Sequence, residues 1–548
     1  MPFRLKLQAQ ERPWFLSSFI IALLISLPII AVVYLALFPE ENAWPHLINT
    51  VLPSYLKNTV TLMLGVGLLT LCVGTGAAWL ISMYDFPGKK WLSWALLLPF
   101  AVPAYVIAYV YTDFLEYAGP IQTSLRAIFG WHNAKDYWFP EIRSMGGAIL
   151  MMSLVLYPYV YMLARATFLE QSISLYRISR SLGATPLQFF WRVSLPIARP
   201  AIAVGLSLVL METLNDFGTV DYFAVRTLTA GLYDTWLNMG NLGGAAQIAL
   251  LMVFVVIILI SLERYSRRKQ KQFHPRNQGD PIPTTTLRGV RAYTASALAF
   301  LPVLFGFIAP FTLLVIYAIK YFEESWQTNF ITYAFNSFAL ASTAALITLV
   351  LGIVLAYSKR MNQNKVTQFF VNFSSLGYAI PGAVLAIGII IPFAAFDNLL
   401  DGAMREYFNF SSGLILSGTA FAIIFSYSVR FLAVSSGSVE SSLSKVTPNM
   451  DMASRSLGQN HYQTLIKIHL PIIKRGALTG MLVVFVDCLK ELPATLILRP
   501  FNFETLATQV YQFASDELLE QSALSALIIV LVGIIPVILL DKSINKKS

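Results

Sequence analysis

The sequence predicts an all-α membrane protein: twelve transmembrane helices in two parallel six-helix repeats. Three observations predict it. The chain has 548 residues, 56% hydrophobic and only 12% charged, with a mean hydropathy of +0.63, whereas a soluble chain is about 25% charged. It contains twelve apolar stretches near the ~20 residues that cross a hydrocarbon core: 15–38, 56–83, 92–114, 145–168, 200–222, 243–263, 293–320, 332–358, 367–395, 412–436, 475–498 and 521–541. With the N-terminus assigned to the cytoplasm, 30 of the 39 basic residues and 8 of the 29 acids fall on the inner side, a net of +22 against −12. That is the positive-inside pattern, with both termini cytoplasmic. The formal charge of +10 is therefore an orientation signal, and no nucleic-acid partner is expected.

Each element follows from local chemistry. The first stretch is too long, and lacks the cleavage site, for a removed signal peptide, so it is expected to be an uncleaved first span. Trp14 and Trp44 flank it as interfacial rings do. Pro103, and Pro381 with Gly382, interrupt spans three and nine in corresponding places. They mark either broken-helix hinges or ordinary kinks. Residues 264–291 are rich in basic residues, Pro, Gly and Thr and have no apolar periodicity. They read as a solvated cytoplasmic linker between a first repeat, 1–263, and a second, 292–548. Cys72 and Cys488 lie in apolar runs, and the five histidines are scattered. Neither a disulfide framework nor a zinc site is expected.

The halves repeat one another. At an offset of 275, Arg180-Ser181-Leu182-Gly183 matches Arg455-Ser456-Leu457-Gly458, Gln188 matches Gln463, and Pro196 matches Pro471. At the same offset Glu212 meets Asp487 and Asp216 meets Glu491. At 278, Asn58 meets Asn336 and Ala-Val-Pro-Ala at 101–104 meets Ala-Ile-Pro-Gly at 379–382. Six spans per half give both halves one orientation, with a pseudo-two-fold axis along the membrane normal and a pathway between them.

The inner loop of each half has a readable local design. Residues 174–182 can form a short helix stopped by Gly183 in the left-handed conformation. After Ala184, Thr185 caps a second helix with Pro186 in its first position. The 3–4 spacing puts Leu187, Phe190 and Trp191 on one face. Pro196 is expected to break the chain before span five. In the second copy Asn460 is the cap, after Gln459. Such a helix–glycine–helix unit suits docking in another protein's groove. The plainer reading is a loop packed on its own membrane domain, and two copies argue for a symmetric partner.

This glycine followed thirteen residues later by Leu-Pro, on a loop between transmembrane helices, resembles the EAA coupling motif of binding-protein-dependent ABC importer permeases. The eponymous Glu-Ala-Ala is replaced by Arg177-Ile178-Ser179 in one half and Met452-Ala453-Ser454 in the other. The resemblance implies the type I ABC importer permease fold, in a bacterial inner membrane. It also implies two copies of an ABC ATPase subunit on the cytoplasmic face. These would use ATP and Mg2+, with no cofactor bound by this chain. The runs 212–223 and 487–496 resemble the fused two-repeat ferric-iron permeases. They imply ferric iron delivered by a periplasmic ferric-binding protein. Thiamine permeases share the fused architecture and stay open as an alternative, as do other small solutes. Gly88-Lys89-Lys90 lacks the rest of a P-loop, so the chain is not expected to be its own ATPase. A gradient-driven secondary transporter is the rival class, disfavoured by the paired loops.

The intramembrane acids complete the expected site. Glu212 and Asp216, and Asp487 and Glu491, are spaced i,i+4 and expected on one helix face each. A carboxylate in a span costs at least about 2.5 kcal/mol unless it faces a cavity or partner. With Asn215 and Lys490 they are the expected pathway lining. The four acids are a possible transient site for a hard trivalent cation, since oxygen donors suit hard ions. Internal ion pairing and helix capping are the alternative. No resident metal is expected. Tyr157 and Tyr427 also correspond, and interface packing is the favoured role for them.

Overall fold

The computed structural model describes residues 12–267, 284–326, 329–362 and 364–545. Most of the expected linker, 268–283, lies outside the described residues, as do the termini. Among the described residues the chain is almost wholly helical. The one strand pairing is a two-residue parallel bridge, Tyr84–Asp85 with Thr285–Thr286. Ten helices are long and apolar enough to cross a membrane, and eleven if the bent pair Lys89–Ala101 and Ala104–Phe129 is one span.

Two of the twelve expected stretches take other forms. The third is that bent pair, turned by 92°, with Pro103 in extended conformation at the break. Pro381 sits likewise at the head of Gly382–Phe408. Each proline follows a short 3-10 turn, so both mark true breaks. The eleventh is the 20-residue helix Leu470–Leu489, which carries Lys474, Arg475 and Asp487 in every stretch of eighteen residues.

The chain forms two compact units, and these interleave in sequence. One comprises Met1–Asn42, Gly240–Val253 and Ile331–Thr508. Here Arg12–Leu37 packs along Gly382–Phe408 and Lys365–Ser374. A Cβ on Gly388 would come within 2.2 Å of the Pro28 carbonyl, so glycine is what lets these helices touch. Ala420–Leu443 packs on Leu470–Leu489. Ala356, Val439, Leu443, Ile473 and Ala477 form a buried cluster there.

The other unit comprises Ala43–Met239, Phe254–Phe330 and Gln509–Ser548. Leu52–Met83 lies along Met145–Leu169 and Leu195–Asn215, and Ala309–Lys320 lies along Leu519–Asn545. The opening helix of each sequence half thus sits in the unit built mainly from the other half.

The repeat is visible as matched hydrogen bonds, one set in each unit. Asn58 Nδ2 donates to the Arg226 carbonyl at 3.0 Å, and Asn336 Nδ2 to the Glu504 carbonyl at 3.0 Å. Thr59 Oγ1 accepts from the Leu228 amide at 2.9 Å, and Ser337 Oγ from the Leu506 amide at 2.8 Å.

Candidate functional site

The two inner loops have the expected backbone. Helix Ile173–Ser181 ends before Gly183 at φ +81°, and Pro448–Ser456 ends before Gly458 at φ +78°. Only glycine adopts that region without a steric penalty. Beyond each glycine the chain closes a full capping box. Thr185 Oγ1 accepts from the Gln188 amide, and the Gln188 side chain accepts from the Thr185 amide. Asn460 and Gln463 repeat it. Both boxes satisfy amides that a helix start leaves orphaned.

The expected break at Pro196 does not occur. Pro186–Asn215 runs as one helical path through a π turn, Phe190–Ser194. The second copy does the same through Leu465–His469 before Pro471. A proline removes one N–H and crowds the preceding turn. The wider π turn just ahead of it re-spaces the ladder and lets the helix continue.

That turn also redirects side chains. Phe190 does not share an outward face with Leu187 and Trp191. It packs 4.8 Å from the Trp79 ring. The outward face is Leu182, Leu187 and Trp191, exposed by 82%, 66% and 61%. Its counterpart is Leu457, Tyr462 and Ile466, exposed by 79%, 64% and 43%. These are the same positions at the 275-residue offset. Arg180 donates to the Ala184 carbonyl at 2.8 Å.

What braces each loop from behind differs. In the first, Trp79, Phe168, Phe189 and Phe190 form an aromatic cluster, with Tyr176 edge-on to Phe189 at 5.2 Å. In the second, Asp451 takes both Nε and Nη2 of Arg360, at 3.1 and 2.7 Å, and His469 Nε2 at 2.7 Å. Arg360 also donates to the Leu443 and Val446 carbonyls. Asp451 directly precedes the Met452-Ala453-Ser454 departure from the motif.

The intramembrane acids are placed differently from the i,i+4 expectation. The helices end at Asn215 and Leu489, so Asp216 and Glu491 lie beyond them. Asp216 accepts from the Thr219 and Val220 amides and the Thr219 hydroxyl. Glu491 accepts from the Ala494 and Thr495 amides and the Thr495 hydroxyl. Each caps the short helix that follows, and this ends the helical register. Glu212 is partly buried in the last turn before Asn215, which is buried.

Asp487 pairs with Lys490 at 2.9 Å, and Glu491 pairs with Arg430 at 2.9 Å. Asp216, Asp487 and Glu491 are thus each engaged within their own unit. Among the described residues no group of three or more His, Cys, Asp or Glu is placed to hold a metal ion.

Arg430 is a site residue outside the expected pathway set. It lies inside helix Ala420–Leu443 with its side chain 7% exposed, against 2% for Glu491. Breaking such a pair costs about 3–5 kcal/mol. The signal was Gly382, which stands where the first half has Ala104. A Cβ there would lie 2.6 Å from Glu491 Oε1 and 2.7 Å from Arg430 Nη1. Tyr157 is buried in Met145–Leu169, and the Tyr427 hydroxyl shares a hydrogen bond of 2.5 Å with the Thr495 hydroxyl.

The comparisons agree with this geometry. Residues 70–272 and 348–548 each match the family of binding-protein-dependent transport system inner membrane components. An Fe(3+)-transport system permease protein of Haemophilus influenzae is 26% identical over 499 residues, spanning 89% of each chain. A ferric transport system permease protein of Actinobacillus pleuropneumoniae is 24% identical, over 73% of this chain and 58% of its own length. A molybdenum transport system permease protein of Escherichia coli is 26% identical over 37% of this chain and 89% of its own. Two family matches in a chain with at least ten apolar helices make this a multi-pass inner-membrane permease, and it belongs to the family of binding-protein-dependent transport system inner membrane components.

Proposed function

We propose that this chain is the permease subunit of an ATP-driven importer that carries ferric iron across the inner membrane. Residues 1–263 and 292–548 act as its two repeats around the linker 264–291. Both termini and both glycine loops face the cytoplasm. Each loop docks one copy of an ATPase subunit, which uses ATP and Mg2+. A periplasmic ferric-binding protein delivers the ion at the opposite face, and lipid surrounds the apolar helices.

One observation carries the docking reading. Leu182, Leu187 and Trp191, and their counterparts Leu457, Tyr462 and Ile466, are exposed apolar side chains at matched positions. Two such patches on rigid capped turns suit a symmetric partner. The cargo follows from the ferric permeases that match most of the chain. Glu212, Asn215, Asp216, Asp487, Lys490 and Glu491 stand as the polar residues nearest the pathway. Their role is to shape it electrostatically rather than to bind tightly, because a transported ion must leave.

The test is uptake by proteoliposomes holding the permease, its ATPase and the ferric-binding protein. Iron should accumulate only with ATP inside. Accumulation driven by an ion gradient without ATP would contradict the reading, as would import of thiamine in place of iron.

A further inference from the structure

A polar cluster outside the expected pathway set joins the two sequence repeats. Tyr511 follows the loop of the second repeat, and Asp221 lies in the matching region of the first. Both belong to one compact unit. The Tyr511 hydroxyl donates to Asp221 Oδ2 at 2.7 Å across 290 residues of chain.

The surroundings single this pair out. Tyr233, the counterpart of Tyr511 at the 278-residue offset, stacks on Phe217 at 3.7 Å, and Tyr511 packs on the same ring at 5.6 Å. Corresponding tyrosines of the two repeats therefore converge on one side chain. Behind them the Tyr109 ring lies 4.5 Å from Tyr222, the neighbour of Asp221. Tyr109 is fully buried. Its hydroxyl has no hydrogen-bond partner among the described residues. A buried hydroxyl without a partner costs stability, and this one belongs to a ring in contact with Tyr222, the neighbour of Asp221.

We propose that Asp221 and Tyr511 form a transient oxygen-donor site for ferric iron where the two repeats meet, with the Tyr109 hydroxyl behind it. Hard trivalent ions favour anionic oxygen donors. Asp221 is exposed and Tyr511 partly so, which leaves the pair accessible to an arriving ion. On binding, the Tyr511 O–H bond breaks, its proton passes to water, and a phenolate–iron bond forms beside the Asp221 carboxylate. Two strong donors from the chain hold an ion loosely enough to release it. The site rests on the ferric reading given above.

The experiment uses the complete permease–ATPase complex and ferric nitrilotriacetate as probe. The wild type should show a visible phenolate-to-iron charge-transfer band. Tyr511→Phe should abolish it, Asp221→Asn should weaken iron binding about 10–100-fold, and Tyr233→Phe should leave the band intact. In proteoliposomes Tyr511→Phe should import about tenfold less iron while its ATPase rate is kept. A band that persists in Tyr511→Phe, or no band in the wild type, overturns the site. Unimpaired iron uptake by Tyr511→Phe also overturns it. If the wild-type complex hydrolyses ATP with the binding protein but imports no iron, the ferric reading itself fails.

Discussion

The two inner loops have one shape and two chemistries. Both use a left-handed glycine, a capping box and a π turn ahead of a proline. Behind the first, Trp79 and its aromatic neighbours supply apolar contact. Behind the second, Arg360, Asp451 and His469 supply charge-assisted hydrogen bonds. What the repeats share is therefore the presented surface and the backbone that holds it. Under the proposed docking a partner touches only the outward face, which leaves the bracing free to differ. It also explains how each loop keeps its form without Glu-Ala-Ala: a carboxylate at Asp451 in one, an aromatic ring at Tyr176 in the other.

The largest expected effect breaks what the loops share. Gly183→Pro or Gly458→Pro cannot adopt the positive φ, and each removes an amide that bonds Arg180 or Arg455. Either should abolish transport and co-purification of the ATPase. A normal complex from either variant would separate loop geometry from docking.

The next pair tests the difference. Asp451→Ala leaves Arg360 and His469 without their carboxylate and should destabilise the unit that holds Ile331–Thr508 by about 3 kcal/mol, near the low end for a buried pair because Asp451 and Arg360 are partly exposed. Trp79→Ala should cost the other unit about 3 kcal/mol by removing a large ring. Thermal unfolding of the purified permease measures both. Salt then separates them. Near 1 M salt, where the screening length falls to ~3 Å, the penalty of Asp451→Ala should shrink, and that of Trp79→Ala should not. Equal salt responses would mean that the bracing chemistry is irrelevant.

A smaller effect belongs to the surface. Leu182→Ala and Leu457→Ala should weaken ATPase binding by about 1–2 kcal/mol each without changing stability. Equilibrium binding of the ATPase to permease in detergent checks it. Unequal losses at the two positions would show that the bracing does reach the presented face.

Much of this was legible in the sequence, because capping and repeats are local or additive signals. Gly183, Thr185 with Pro186, and Asn460 each announce a turn or cap within four residues. The matched Asn58 and Asn336 lie at a fixed offset and make matched bonds. What was not legible depends on geometry that several elements fix together. The π turns at 190–194 and 465–469 leave no residue signature, so Pro196 read as a break and Phe190 as outward-facing. Asp216 and Glu491 kept the i,i+4 spacing of a continuous helix, and only the capping of the next helix takes them off it. The pairing of Arg430 with Glu491 was not legible because the partners lie 61 residues apart. The glycine that makes room for that pair, Gly382, was visible only as a proline-break residue.

The central claim is that the two differently braced loops are equivalent docking points, one ATPase subunit at each. Its most direct measurement is the mass of the solubilised complex for the wild type and for Leu182→Asp combined with Leu457→Asp. The wild type should carry two ATPase subunits and the double variant none, while the permease stays folded and membrane-inserted. A double variant that still holds two ATPase subunits would contradict the account.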